Sequence, residues 1–178
     1  MASKLSGLAD SGSAVAADSV ADELRLEQFI TYRLTALSNM LNRQMERFLN
    51  QRFDISLPDW RVLANLGHFQ DMSVRDLAAR SRMDKALVSR AVARLVKRGF
   101  VSSRPDTRDG RLVVLALTES GREMYEAIMP LARKRQRRLL ECLNDKERTT
   151  FEQALDKLIA IANDNEQRKS EVSEPWWN

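Results

Sequence analysis

One cysteine and one histidine in 178 residues are too few to hold a conventional zinc cluster. Cys142 has no partner for an intrachain disulfide, which fits a reducing compartment. Only six glycines are present, none arranged as a phosphate-cradling loop, and no nucleophile–base set surrounds the single histidine, His68. Neither an enzyme nor a cofactor is therefore expected. Aromatic residues are scarce at 6%, yet hydrophobic residues reach 43%, enough to build a core without disulfides. No run approaches the roughly eighteen apolar residues of a membrane span, and the opening residues lack the apolar segment of a signal peptide. The expectation is a cytoplasmic protein with no membrane partner.

A large net charge is missing as well, since +4 on a chain of this length does not by itself announce a polyanionic partner. The distribution of charge says more. Between Ser73 and Arg111 eleven basic residues stand against Asp76, Asp84, Asp106 and Asp109, a local charge of +7, whereas the remainder carries −3. A positive excess confined to one contiguous segment suggests that this segment meets a polyanion.

Periodicity organises the rest. Residues 1–21 are rich in small residues without a repeat and read as a disordered N-terminal tail. Leu26, Ile30, Leu34, Leu37, Leu41, Met45 and Phe48 recur at spacings of three and four, predicting an amphipathic helix from Asp22 to about Gln51, roughly 45 Å long. Pro58 suits the first turn of a shorter helix that presents Trp60, Leu63 and Leu66. Ser73 with Asp76 resembles a capping box, with Asp in place of the usual Glu, and starts a helix that runs to about Ser81. Asp84 caps the next helix, with Leu87, Val88, Ala91, Val92 and Leu95 on its buried face and Gly99 at its end. Two short helices joined by three or four residues, the second bearing cations outward, fit a helix-turn-helix, although any small helical bundle holds such a pair.

The β-prone runs FVSSRP and RLVVLAL flank DTRDG and read as a two-stranded hairpin, with Gly110 available for a positive φ. Thr118 caps a further helix, which Pro130 should kink or end. Asn144 and Glu147 resemble a second capping box before a last helix lined by Phe151, Leu155, Leu158, Ile159 and Ala162. From Asn163 the chain turns polar again. The fold class is mainly α with a small β-hairpin.

The charge-dense hairpin tip admits two readings. One is a surface turn kept soluble by its own ion pairs. The other follows from its position directly after a cationic helix, the order of a winged helix, in which a helix enters the major groove and the tip reaches the neighbouring minor groove. That groove is about 6 Å wide and strongly negative. Arg108 stands at the apex of the turn, and Asp106 is placed to hold its guanidinium outward.

The segment SVRDLAARSRMDKALVSRAVARLVKRGFVSSRPDTRDGRLVVLALTESG, with its DxRDxR wing motif followed by LTxxG, resembles the shared core of the MarR-type winged-helix transcriptional regulators. The likeness extends less specifically from about Glu27 to Ala162. It implies a winged helix-turn-helix whose N- and C-terminal helices form a dimerisation domain. The corresponding organisation is a tail over 1–21, a dimerisation helix over 22–52, a DNA-binding domain over 53–118, dimerisation helices over 119–162, and a flexible tail over 163–178. It also implies a homodimer on a pseudo-palindromic double-stranded DNA operator, commonly a repressor released by a small, often aromatic and anionic effector. By the family pattern Arg108 is the minor-groove arginine and Asp106 its orienting partner, while SSRPD departs from the commoner end of the first wing strand and leaves the role of Arg104 open. The nearest rival is a constitutive or architectural DNA-binding protein without a small-molecule effector.

Base contacts are expected from the exposed N-terminal half of the second helix, through Lys85, Ala86, Ser89 and Arg90, with Arg90 as the guanine reader. Ser73, Arg75, Arg82 and Arg94 are expected on phosphates, and Lys97 and Arg98 at the helix C-terminus. Tyr32, Arg33, Trp60 and Arg61 pair flat apolar surface with cations and are the effector-binding candidates, with core or interface roles as the alternative. Cys142 reads as a structural residue on an apolar helix flank, His68 as a polar surface residue, and ARKRQRR as a solvated helix face. The EPWWN ending receives no function.

Overall fold

The structure, a computed structural model, describes residues 25–105 and 113–168, without the side chains of 165–168. A single 3-10 turn (Leu26–Gln28) precedes α1 (Ile30–Phe53), α2 (Leu57–Phe69), β1 (Met72–Ser73), α3 (Val74–Ser81), α4 (Lys85–Lys97), β2 (Val101–Pro105), β3 (Val113–Leu117), α5 (Glu119–Leu140) and α6 (Asp145–Arg168). None of the described helices is long and apolar enough to cross a membrane.

The helix boundaries follow local chemistry. Ser56 caps α2 through a reciprocal box with Asp59: each backbone N–H donates to the other side chain, at 3.1 and 3.2 Å. Ser73 Oγ accepts from the Asp76 N–H at 3.1 Å to start α3, and Asp84 Oδ1 accepts from Ala86 and Leu87 to start α4. Gly99 takes φ +76° after α4. Thr118 Oγ1 accepts the Gly121 N–H at 3.1 Å at the head of α5, and Asn144 and Glu147 form the second box before α6.

The structure changes or narrows four expectations. The first helix begins at Ile30, because Phe29 is extended (ψ 128°) and offers no side-chain cap. The hairpin gains a third strand: β1 pairs antiparallel with β3, Met72 opposite Leu115, giving the order β1-β3-β2. Two residues are too short a strand to show alternation in sequence. Helix α5 runs through Pro130, which sits on its exposed side, where water is free to serve the carbonyl deprived of its N–H partner. Helix α6 continues to Arg168, beyond the expected boundary at Ala162.

The core lies between α2, α3, α4, the sheet and the first half of α5. Leu63, Leu66, Leu77, Val88, Leu95, Leu115 and Ile128 are fully buried there, with Leu49 and Ile55 closing it from the end of α1. Gly121 makes a tight joint, since a Cβ at this position would fall 1.9 Å from the Phe100 carbonyl oxygen. The same joint is sealed by Thr118 Oγ1 and Ser120 Oγ, which donate to the Gly99 carbonyl at 2.6 and 3.0 Å. The LTxxG motif is thus the hinge pin between wing and α5.

Candidate nucleic-acid interface

Helix α4 divides cleanly into two faces. Val88, Ala91, Val92 and Leu95 are buried, while Lys85, Ala86, Ser89 and Arg90 are exposed on the opposite side. The turn into α4 is built by Arg82 in the left-handed region (φ 49°), Met83 buried in the core, and Asp84 as cap. A left-handed non-glycine residue costs about 1 kcal/mol or more, which the buried Met83 anchor offsets.

The expected DNA contacts now have places. Arg75, Lys85 and Arg90 are exposed and have no hydrogen-bond or ion-pair partner among the described residues. Ser89 is exposed, but its hydroxyl donates back to the Lys85 carbonyl at 2.9 Å, which orients its lone pairs outward. Ser73 is half-buried, and its hydroxyl donates to Asp76 Oδ2 at 2.7 Å while capping α3. Arg82 is exposed and donates to Asn163 Oδ1 of α6 at 2.9 Å. Asp106 and Arg108, with the remainder of the wing tip, lie outside the described residues.

Arg94 is placed differently from the expected phosphate contact. Its Nε and Nη2 donate to Asp59 Oδ1 at 3.1 and 2.7 Å, and Asp59 is only 4% exposed. A desolvated carboxylate holds its cation firmly, because removing either partner leaves an uncompensated buried charge. Arg98 donates to the carbonyl and carboxylate of Asp54, and Arg104 pairs with Asp71 at 2.6 Å. Arg104 thus links β2 to the turn that precedes β1 through a half-exposed ion pair. Three cations of the +7 segment are therefore matched by aspartates that the fold brings in from outside it. Charge counting along the chain had no access to this, since the partners stand 33 to 44 residues apart.

The effector candidates do not converge. Tyr32 and Arg33 are exposed on the first turns of α1. Trp60 is buried, 7% exposed and stacked on Tyr125 at 6.2 Å, which favours the core role among the alternatives left open for it. Arg61 donates to Asn42 Oδ1 at 3.1 Å. None of the four lines either of two clefts formed beside α1 by the described residues. One, of about 570 Å³, is lined by Asn42, Arg43, Glu46, Arg47 and Leu57. The other, of about 350 Å³, has walls of Met45, Phe48, Leu131 and Ala132 with Lys134, Arg135 and Arg138 around them.

Among the remaining singled-out residues, Cys142 is exposed, not packed on an apolar flank as expected. It falls in the turn between α5 and α6. His68 is a surface residue set edge-on against Phe69. In ARKRQRR, Arg133, Lys134, Arg137 and Arg138 are exposed, and Arg135 donates to the Leu41 carbonyl of α1 at 2.7 Å.

Comparison with known proteins agrees with this architecture. A family model described as MarR family matches residues 53–112. The chain is 30% identical over 136 residues to the HTH-type transcriptional repressor YetL of Bacillus subtilis, covering 75% of this chain and 80% of that one. It is 28% identical over 117 residues to the HTH-type transcriptional repressor IacR of Pseudomonas putida, covering 66% and 70%. A crystal structure of a MarR/EmrR family transcriptional regulator from Acinetobacter sp. ADP1 superposes with a TM-score of 0.74 at 28% identity, over 79% of this chain and 99% of that one. A capped helix-turn-helix with an open cationic face, followed by a β-hairpin and matched by these relatives, shows that the chain belongs to the MarR family of DNA-binding transcriptional regulators.

Proposed function

We propose that the protein is a homodimeric repressor that occupies a pseudo-palindromic operator, one reading head per half-site, and leaves it when a small apolar anion binds. The observation that carries this reading is the exposed face of α4, where Lys85 and Arg90 stand free beside Ala86 and Ser89. On that face Arg90 is the candidate for a bidentate contact to guanine, and Lys85 and Ser89 meet base edges or phosphate. Arg75 and Arg82 contact phosphate and set register, and Ser73 joins them at the α3 N-terminus. Arg108, held by Asp106, enters the minor groove.

Support for two copies comes from α6. Phe151, Leu158, Ile159 and Ile161 leave 39 to 50% of their surface exposed, a stripe that one copy of the chain leaves unburied. Ile30, Leu37 and Met40 along the N-terminal half of α1, with Leu26 in the turn before it, are exposed as well. A second copy offers the same surfaces in reciprocal arrangement. Repression is supported by two relatives named as repressors, YetL and IacR. For the effector, the 350 Å³ cleft between α1 and α5 offers apolar walls with no carboxylate in its lining; Arg135 is tied to the Leu41 carbonyl and Arg138 to Glu141, so Lys134 is the cation at its edge left for an apolar anion.

Selection of bound sequences from a random duplex library tests the reading. Inverted half-sites centred about 34 Å apart, or a multiple of this, are expected. Enrichment of unpaired A·T-rich sequence without symmetry would contradict it. Arg108→Ala is expected to weaken binding to the selected site by roughly 1–3 kcal/mol without unfolding the protein, measured by titration at fixed salt.

A further inference from the structure

The joint between α1 and α2 is three residues long: Asp54, in the left-handed region at φ 52°, then Ile55, fully buried, then Ser56, the cap of α2. It is gripped from two directions. From α1, Glu46 Oε2 accepts the Leu57 N–H at 2.6 Å. From α4, two arginines one helical turn apart reach it: Arg94 forks onto Asp59 Oδ1 and approaches Ser56 Oγ at 3.4 Å, and Arg98 donates to the Asp54 carbonyl and to Asp54 Oδ2. Asp59 has two tasks at once. Its Oδ2 closes the capping box with Ser56, and its Oδ1 receives Arg94.

We infer that Arg94 and Arg98 are positioning residues, a clamp that fixes the angle of the DNA-reading helix against the end of α1. The base-facing residues occupy the N-terminal half of α4 and the clamp its C-terminal half. Because a helix of 13 residues is a stiff rod, holding one half aims the other. The two grips differ in weight. Asp59 is desolvated, so its charge-assisted bonds to Arg94 are strong and Arg94 is not free to swing to a phosphate without stranding a buried carboxylate. Asp54 has a side chain 96% exposed, so its ion pair with Arg98 adds little, and the useful part of that grip is the bond to the backbone carbonyl at the end of α1. The consequence rests on the dimeric reading above: if α1 is joined to a second copy, the clamp sets the distance between the two reading helices and hence the tolerated half-site spacing.

The test uses the full chain and the random duplex library, read for both half-site sequence and spacing. The variants are Arg94→Met, which keeps the stem and removes the fork, Asp59→Asn, which keeps the shape and removes the charge, and the two combined. Circular dichroism and solution mass establish that each remains a folded assembly. Wild type should show one dominant spacing. In each single variant the neighbouring spacings should rise roughly tenfold relative to it, the scale of one lost charge-assisted hydrogen bond. The double variant should go no further than either single, because both remove one interaction. The half-site sequence should stay the same.

An unchanged spacing distribution in folded variants overturns the clamp. So does a split in which Arg94→Met weakens binding and flattens its salt dependence while Asp59→Asn does neither, since that pattern marks Arg94 as a phosphate contact. If Asp59→Asn fails to fold, Arg94→Lys and the exposed-end variant Arg98→Met replace it, and both must broaden the spacing by a smaller factor for the clamp to stand. If wild type selects no paired half-sites, the dimeric reading fails instead. The clamp is then judged on amide exchange: the N–H groups of Ser56, Leu57 and Asp59 must lose protection in Arg94→Met, and retained protection overturns it.

Discussion

The reading head and the terminal helices are built from similar proportions of apolar and charged residues, yet only the head is complete in one copy of the chain. In the head, α4 buries Val88, Ala91, Val92 and Leu95, and α2 buries Val62, Leu63 and Leu66 against them. In the terminal part, 24 residues of α1 bury only Met45 and Leu49, and α6 buries none of its described side chains. The difference teaches that amphipathic periodicity identifies a face that wants covering but not what covers it. A stripe such as Phe151, Leu155, Leu158 and Ile159 has the same signature whether its partner lies in the same chain or in another.

The comparison breaks most readily at α6. Leu158→Asp puts a charge into the stripe assigned to the second copy, and an unpaired charge buried at such a contact costs about 3–5 kcal/mol. The expected outcome is a monomer by sedimentation equilibrium and loss of operator binding of more than roughly a hundredfold, with the helical content of the head retained. A dimer of unchanged mass would move the second copy to another surface. Gly121→Ala attacks the other half. The added methyl meets the Phe100 carbonyl, and the expected loss is about 1–3 kcal/mol or more in denaturant unfolding, with the dimer mass unchanged in native buffer.

Two further variants sharpen the account of the head. Arg90→Ala should cost about 1–3 kcal/mol on the selected operator and relax the base preference at one position of each half-site, read by repeating the selection. Arg75→Ala should have the smallest effect, a uniform weakening across sequences with the salt slope reduced by about one per head. An Arg75 variant that altered base preference would mean that α3 also reads sequence.

Much of the head was legible in the sequence because its signals are local. Ser73 with Asp76, Asp84, Gly99 and Thr118 each cap or end a helix within four residues of their own position, so caps and helix ends could be named to within a residue or two, and the same holds for Asn144 with Glu147 at the start of α6. The buried face of α4 followed from spacing alone. What sequence did not reveal depends on distant partners. Asp59, Asp54 and Asp71 pair with cations of the +7 segment across the fold, and the pairing with Asp59 is the ground for the anchoring role inferred for Arg94 in place of a phosphate contact. Trp60 read as a cleft aromatic because a tryptophan near a helix start gives no sign of the tyrosine it stacks on, 65 residues later. The strand Met72–Ser73 was hidden by its brevity, and the Arg82 contact to Asn163 by a separation of 81 residues.

The mass of the complex on a duplex carrying the selected site bears most directly on the whole account. Two chains per duplex, assembling together with no stable one-chain species at the concentrations where wild type is saturated, is the expected result. One chain per duplex at full affinity would contradict the claim that the terminal helices join two heads into the binding unit.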